Sequence, residues 1–147
     1  MGAEALVRGA SQVWGIEQSA IACQVIKYNW QKVSSPTQKW QVFKGDVVKI
    51  LPKLAGQVFQ LVYFDPPYHS DLYEPVLQML PPLVDENSLI AVEHLSDRPL
   101  PNPVGQFSRY DQRKYGQTML SFYHLAPQPL ADYIQQTSAP PDQCCDD

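Results

Sequence analysis

An α/β fold built on a doubly wound, mostly parallel sheet is what this sequence of 147 residues predicts. Three observations predict it. Strand-like and helix-like segments alternate through the first hundred residues, which implies right-handed crossovers and parallel pairing. The apolar run Phe59 to Phe64 stops abruptly at Asp65-Pro66-Pro67-Tyr68, as a buried strand does on reaching the mouth of its sheet. Two late segments, Gly105 to Arg113 and Gln117 to Leu125, read as an antiparallel hairpin that would make the sheet mixed.

The elements follow in order. Gly2 to Arg8 has the residues of a helix body, with Gly9 as its stop. Ser11 to Glu17 alternates loosely and predicts a short strand ending in an acid. Gln18 to Val33 carries Ile21, Ala22, Val25, Ile26 and Tyr28 to Trp30 at helical spacing, and Ser34 to Thr37 breaks it. Lys39 to Lys44 alternates as a strand, and Asp46 caps a short helix from Val47 to Leu54. After the Asp-Pro-Pro-Tyr corner, Leu72 to Leu80 predicts a helix closed by Pro81-Pro82, and Ser88 to His94 a near-continuous apolar strand. A proline-rich loop, Ser96 to Pro103, leads to the hairpin, whose strands are joined by Lys114-Tyr115-Gly116. Residues 1–126 are expected to form one domain, and residues 127–147 a disordered tail.

Composition sets the outer bounds. A 44% hydrophobic share with 18% charged residues is that of a folded globular chain. No apolar run is long enough to cross a bilayer, and no leader pattern opens the chain. Three cysteines, Cys23, Cys144 and Cys145, form no even framework, so a reducing cytoplasm is expected, with a monomer, no metal and no membrane partner. The net charge of -4 weighs against the basic footprint of many nucleic-acid binders.

Three acids, Glu17, Asp46 and Asp65, fall at or just past the ends of three successive strands, along one edge of a parallel sheet. An acid after the second strand of a doubly wound fold is placed for ribose hydroxyls, and one after the next strand for an adenine amine. Asp46 serves equally well as a helix cap. Asp65, the Pro66 carbonyl and the Tyr68 ring suit an exocyclic amine on a nucleobase: two acceptors for its hydrogens and a face on which an extruded base can stack. Such a nitrogen is a poor nucleophile, and fixing its hydrogens aims its lone pair at an electrophile.

The Asp65-Pro66-Pro67-Tyr68 corner resembles the catalytic motif of S-adenosylmethionine-dependent amino methyltransferases. More closely, the chain is similar to the bacterial 16S ribosomal RNA guanine-N2 methyltransferase family (RsmD-type). The likeness rests on Gly2-Ala3-Glu4-Ala5-Leu6-Val7-Arg8-Gly9-Ala10, Glu17, Asn29, Gly45-Asp46, Val92-Glu93 and Lys114-Tyr115-Gly116-Gln117-Thr118 to Tyr123. It spans roughly residues 2 to 125.

The resemblance implies a Rossmann-like class I methyltransferase sheet with S-adenosylmethionine as cofactor and 16S ribosomal RNA, or the small ribosomal subunit, as partner. Asp65, Pro66 and Tyr68 are the implied catalytic residues. Gly2, Glu17, Asp46 and Asp65 are implied for the cofactor, and Pro67, Tyr68 and Lys114 for the substrate.

One departure stands out. The family's first strand and glycine-rich loop precede the Gly-Ala-Glu-Ala-Leu segment, and here only Gly2 remains of that loop. The missing strand would lie between the strands that end at Glu17 and Asp65. A start placed too late, a truncated remnant and a piece supplied from elsewhere all fit. Adenine-N6 DNA methylation and a non-catalytic remnant are the rival functional readings.

Overall fold

The computed structural model describes residues 1–126. The expected tail, with Cys144 and Cys145, lies outside the described residues. Helix α1 (Gly2–Val7) runs into Arg8, and Gly9 reverses the chain at φ +94°, a left-handed value that glycine adopts without steric cost. Gln38 secures this reversal from far along the chain: its side-chain amide donates to the Leu6 carbonyl at 2.7 Å and the Ala10 carbonyl at 2.8 Å.

Strand β1 (Gln12–Glu17) crosses through helix α2 (Ala20–Val33) to β2 (Lys39–Lys44), and the two strands pair in parallel from Gln12↔Lys39 to Glu17↔Lys44. Ser19 caps α2, accepting from the Ala22 N–H at 3.3 Å. The buried face of α2 differs from the apolar stripe expected of it. Cys23 and Trp30 are buried and Ile26 packs beside them, whereas Ile21, Val25 and Tyr28 are exposed. Apolar residues occupy more than one side of this helix, so spacing alone does not identify the side that packs.

Trp30 sets the packing of the whole N-terminal layer. A Cβ on Gly2 would lie 2.1 Å from its indole, and one on Gly15 of β1 would lie 2.9 Å from it. Only glycine lets α1 and β1 approach this ring so closely.

Asp46 caps α3 (Val47–Ile50) as expected, its Oδ1 accepting from the Val48 N–H at 2.9 Å, and a 3₁₀ turn continues over Leu51–Leu54. Strand β3 is shorter than the apolar run suggests, covering Leu61–Phe64. The Phe59 N–H donates to the Leu83 carbonyl at 2.9 Å instead of joining the ladder, and its ring meets Trp14 edge-on at 5.3 Å. Helix α4 (Tyr73–Met79) and a 3₁₀ turn at Pro81–Leu83 lead to β4 (Leu89–Leu95).

The hairpin strands are β5 (Phe107–Tyr115) and β6 (Thr118–Leu125). Its loop is Gly116-Gln117, not Lys114 to Gly116, because Tyr115 pairs with Thr118 and leaves two residues outside the ladder, the commonest hairpin length.

The four-stranded sheet has the order β3-β4-β6-β5, parallel between β3 and β4 and antiparallel thereafter. No ladder joins it to the β1-β2 pair. The sheet is therefore divided between the strand ending at Glu17 and the one ending just before Asp65, where the family's extra strand is expected. The division shows in burial: every residue of β3 is apolar or aromatic, yet none is fully buried, and Leu61 is 51% exposed.

On one face of the four-stranded sheet Ile90, Val92, His94, Ser121 and Tyr123 are buried, with Tyr73, Val76 and Leu77 of α4 in the same apolar core. The opposite face carries Tyr63, Glu93 and Thr118, by the alternation of strand side chains.

Candidate active site

The end of β3 delivers the corner. Pro66 is buried, whereas Asp65 and Pro67 are exposed. The prolines end the strand, and the Ser70 N–H closes the following turn on the Pro67 carbonyl at 2.9 Å. Asp65 has neither a hydrogen bond nor an ion pair with another described residue. The Pro66 carbonyl accepts no backbone hydrogen bond from them. Both oxygen acceptors thus remain available at the corner.

Burial, and secondarily the Glu93 carboxylate, hold the Asp65 carboxyl above its ordinary value, against a smaller opposing pull from the chain's terminal ammonium. A raised carboxyl binds its proton more tightly in the folded chain than in the unfolded one. Its ionised form therefore lowers stability at neutral pH, and this loss fades as pH falls toward 4. Asp65→Asn is expected to raise Tm at pH 7, with the gain shrinking toward pH 4. Solvent exposure keeps it below about 1 kcal/mol.

Tyr68 is fixed in place. Its hydroxyl donates to Glu93 Oε1 at 2.9 Å and stands 3.4 Å from Thr118 Oγ1. Its carbonyl accepts from Arg98 Nη1 at 3.2 Å. Glu93 also accepts from the Tyr63 hydroxyl through Oε2. Burial, followed by the bond to Glu93, pushes the Tyr63 phenol well above its usual range, so it remains a donor at physiological pH. The parallel register explains the grouping: Phe64 pairs with Val92, which brings the next residues, Asp65 and Glu93, to neighbouring positions on one face.

Glu93, which the sequence reading left without a role at the corner, is the residue that ties Tyr63 and Tyr68 together. The available signal was a carboxylate inside the apolar strand Leu89–Leu95, where a charge needs partners. His94 points to the other face and does serve structure. It is buried, with Nε2 at 2.8 Å from Ser121 Oγ and Nδ1 facing the Leu95 and Arg98 carbonyls.

Register also brings Glu17 and Asp46 together. Glu17 pairs with Lys44, and its carbonyl accepts from the Gly45 N–H at 2.9 Å. Each acid spends one carboxylate oxygen locally, Glu17 on the Ser19 N–H at 2.7 Å and Asp46 on its cap. One oxygen of each is left without a hydrogen bond to the described residues, an acceptor pair that fits hydroxyl and amino groups of a nucleoside.

Gly2 opens α1, where the approach of the Trp30 indole leaves no room for a side chain. Lys114 is exposed on β5 with Met119 as its ladder partner, on the face opposite the Tyr115–Thr118 pair that approaches the corner. No cluster of metal-ligating side chains occurs among the described residues, nor is any helix there long and apolar enough to cross a membrane.

Comparison with known proteins shows the family. Residues 1–124 match the family described as Conserved hypothetical protein 95. YlbH of Bacillus subtilis, named as an rRNA methyltransferase, is 28% identical over 127 residues, covering 84% of this chain and 68% of its own. Ribosomal RNA small subunit methyltransferase D of Haemophilus influenzae is 30% identical over 106 residues. That match covers 70% of this chain and only 55% of the relative. A crystal structure named as a methylase from Haemophilus influenzae superposes with a TM-score of 0.72 at 27% identity, covering 84% of this chain and 72% of that one. The chain belongs to the Conserved hypothetical protein 95 family, that of the RsmD-type ribosomal RNA methyltransferases.

Proposed function

We propose that this chain carries the acceptor side of an S-adenosylmethionine-dependent methyl transfer to the N2 amine of a guanine in 16S ribosomal RNA. The observation that carries the reading is the corner itself. Asp65 and the Pro66 carbonyl present open acceptors beside Tyr68, whose hydroxyl is anchored by Glu93. In this role Asp65 and Pro66 orient the two amine hydrogens, and Tyr68 stacks on the extruded base with its ring fixed from behind. Tyr63 and Glu93 position Tyr68. Pro67 borders the base, and Lys114 meets a phosphate of the strand.

Glu17 and Asp46 would hold the ribose and adenine of S-adenosylmethionine, with Gly2 and Asp65 near its methionine end. Bound there, the cofactor supplies a methyl group on a sulfonium. The nucleophile's readiness comes from this chain's own acceptors, which act by preorganisation rather than by covalent chemistry. The proposed setting is the cytoplasm, as a monomer acting on the small subunit or its RNA.

The division of the sheet favours a second reading, a relative that no longer binds the cofactor. Methyl transfer from labelled S-adenosylmethionine, measured in parallel on small ribosomal subunits, free 16S RNA and duplex DNA, tests the proposal. Guanine-N2 label in the RNA is the expected result. Label on DNA adenine instead would overturn the substrate assignment. Calorimetry without detectable cofactor binding, together with no transfer, would establish the second reading.

A further inference from the structure

Tyr68 is held at both ends. Apart from the turn bond within it, the stretch 66–70 is hydrogen-bonded to the rest of the described residues only through Tyr68. The hydroxyl donates to Glu93 beside Thr118, and the main-chain carbonyl accepts from Arg98 Nη1 at 3.2 Å. That carbonyl belongs to the middle peptide of the turn that Ser70 closes on Pro67. Tyr68 and His69 occupy the two central positions, so neither group of the peptide between them takes part in the closing bond. Turning this peptide over interconverts the two common turn types, and the turned form needs a positive φ at His69, which is absent.

Arg98 is brought there by a turn of its own. Just beyond β4 its N–H closes on the Leu95 carbonyl at 3.2 Å, and the Ser96 N–H donates to the Gln117 carbonyl of the hairpin loop at 2.8 Å. Buried His94 grips both ends of that turn. Its Nδ1 stands 2.9 Å from the Leu95 carbonyl and 3.1 Å from the Arg98 carbonyl. Carbonyls only accept, so Nδ1 carries a hydrogen. Across the ring, Nε2 meets Ser121 Oγ, which also accepts from Gln112 Nε2 at 2.8 Å. Arg98 makes no ion pair with a described residue, so no carboxylate draws its guanidinium away from the Tyr68 carbonyl.

We infer that Arg98 is a positioning residue for the acceptor site, clamping the Tyr68–His69 peptide so that the Tyr68 ring faces the base whose amine Asp65 and Pro66 hold. The inference rests on the methyl transfer proposed above and gives it a residue outside the Asp-Pro-Pro-Tyr corner. The reason is mechanical. The prolines fix φ at positions 66 and 67 but leave Tyr68 free to turn. A ring tethered at its hydroxyl alone can pivot about Glu93 as its backbone shifts. A second tether at the carbonyl removes that pivot, so the stacking face is set before the base arrives. Arg98 touches neither base nor methyl group in this role, and its effect passes through Tyr68.

Arg98→Met keeps the stem and removes the donors, whereas Arg98→Lys keeps a donor for a contact that needs only one. Backbone amide relaxation of the whole chain reads the clamp without any substrate. In Arg98→Met the order parameters of His69 and Ser70 should fall from about 0.85 toward about 0.6, with β4 and β6 unchanged. Its kcat for methyl transfer to small ribosomal subunits should fall about tenfold, more than one hydrogen bond is worth and less than a misplaced reacting group costs. The KM for RNA and for S-adenosylmethionine should each move by less than about twofold. Arg98→Lys should restore the order and most of the rate.

A turn equally ordered in Arg98→Met would overturn the clamp. So would a raised KM for RNA at unchanged kcat, the mark of a phosphate contact, or a lower Tm at unchanged kcat, the mark of fold support. A lysine variant as impaired as the methionine one would do the same. The two proposals fail separately. A turn loosened by Arg98→Met in a protein that methylates no RNA would keep the clamp and overturn the function, whereas RNA methylation at the parental rate in Arg98→Met would do the reverse.

Discussion

Asp65→Ala is expected to lower kcat for methyl transfer to small-subunit RNA by about 10²–10³-fold, the usual effect of deleting one preorganised polar group aimed at a reacting atom. The KM for S-adenosylmethionine should rise far less than kcat falls, since the proposed ribose and adenine contacts, Glu17 and Asp46, stand on a different pair of strands and Asp65 borders only the methionine end. Single-turnover rates on purified subunits give the comparison, and a variant that transfers methyl groups at the parental rate would remove Asp65 from the chemistry. Glu93 acts through Tyr68, so Glu93→Gln and Tyr68→Phe should be markedly non-additive in a double-mutant cycle. A carboxylate that merely supported the fold would instead give effects that add.

Trp30→Ala should be the most destabilising single change in the N-terminal layer. The ring is buried, meets Trp40 edge-on at 6.1 Å, and fills the space left by Gly2 and Gly15. Truncating a buried tryptophan costs about 3–5 kcal/mol, roughly 10–20 °C in Tm for a domain of this size. Amide exchange locates the loss. Protection should fall in β1 and β2 and persist in β4 and β6, which pack around a different apolar core. Gly2→Ala probes the same contact from the other side, because its new methyl group would collide with the indole. Trp30→Phe, with a smaller ring, should partly relieve that collision.

Much of the fold was legible because strand and helix periods and the turn residues agree along the chain. Lys39–Lys44 and the Asp46 cap were readable residue by residue, and Asp65-Pro66-Pro67-Tyr68 marked the end of β3. What stayed hidden depends on register and on the choice among faces. Glu93 lies 28 residues beyond Asp65, and only the parallel pairing of β3 with β4 places the two side by side. The buried side of α2 is likewise fixed by the indole of Trp30 meeting two glycines, neither of which carries a hydrophobic signal.

The two apolar cores meet across β1 and β2, whose Trp14, Ile16 and Phe43 pack against the larger one, and their unequal size bears on cooperativity. Among the described residues one core holds five buried side chains and the other fourteen, so the smaller layer, α1 to β2, should open at a lower free energy than the rest. Glu17 belongs to that weaker unit and Asp65 to the stronger. A ligand that touched both would suppress the partial opening, and its binding energy would appear as added rigidity of the N-terminal third. In such a molecule, holding the methyl donor and holding the fold together become one equilibrium.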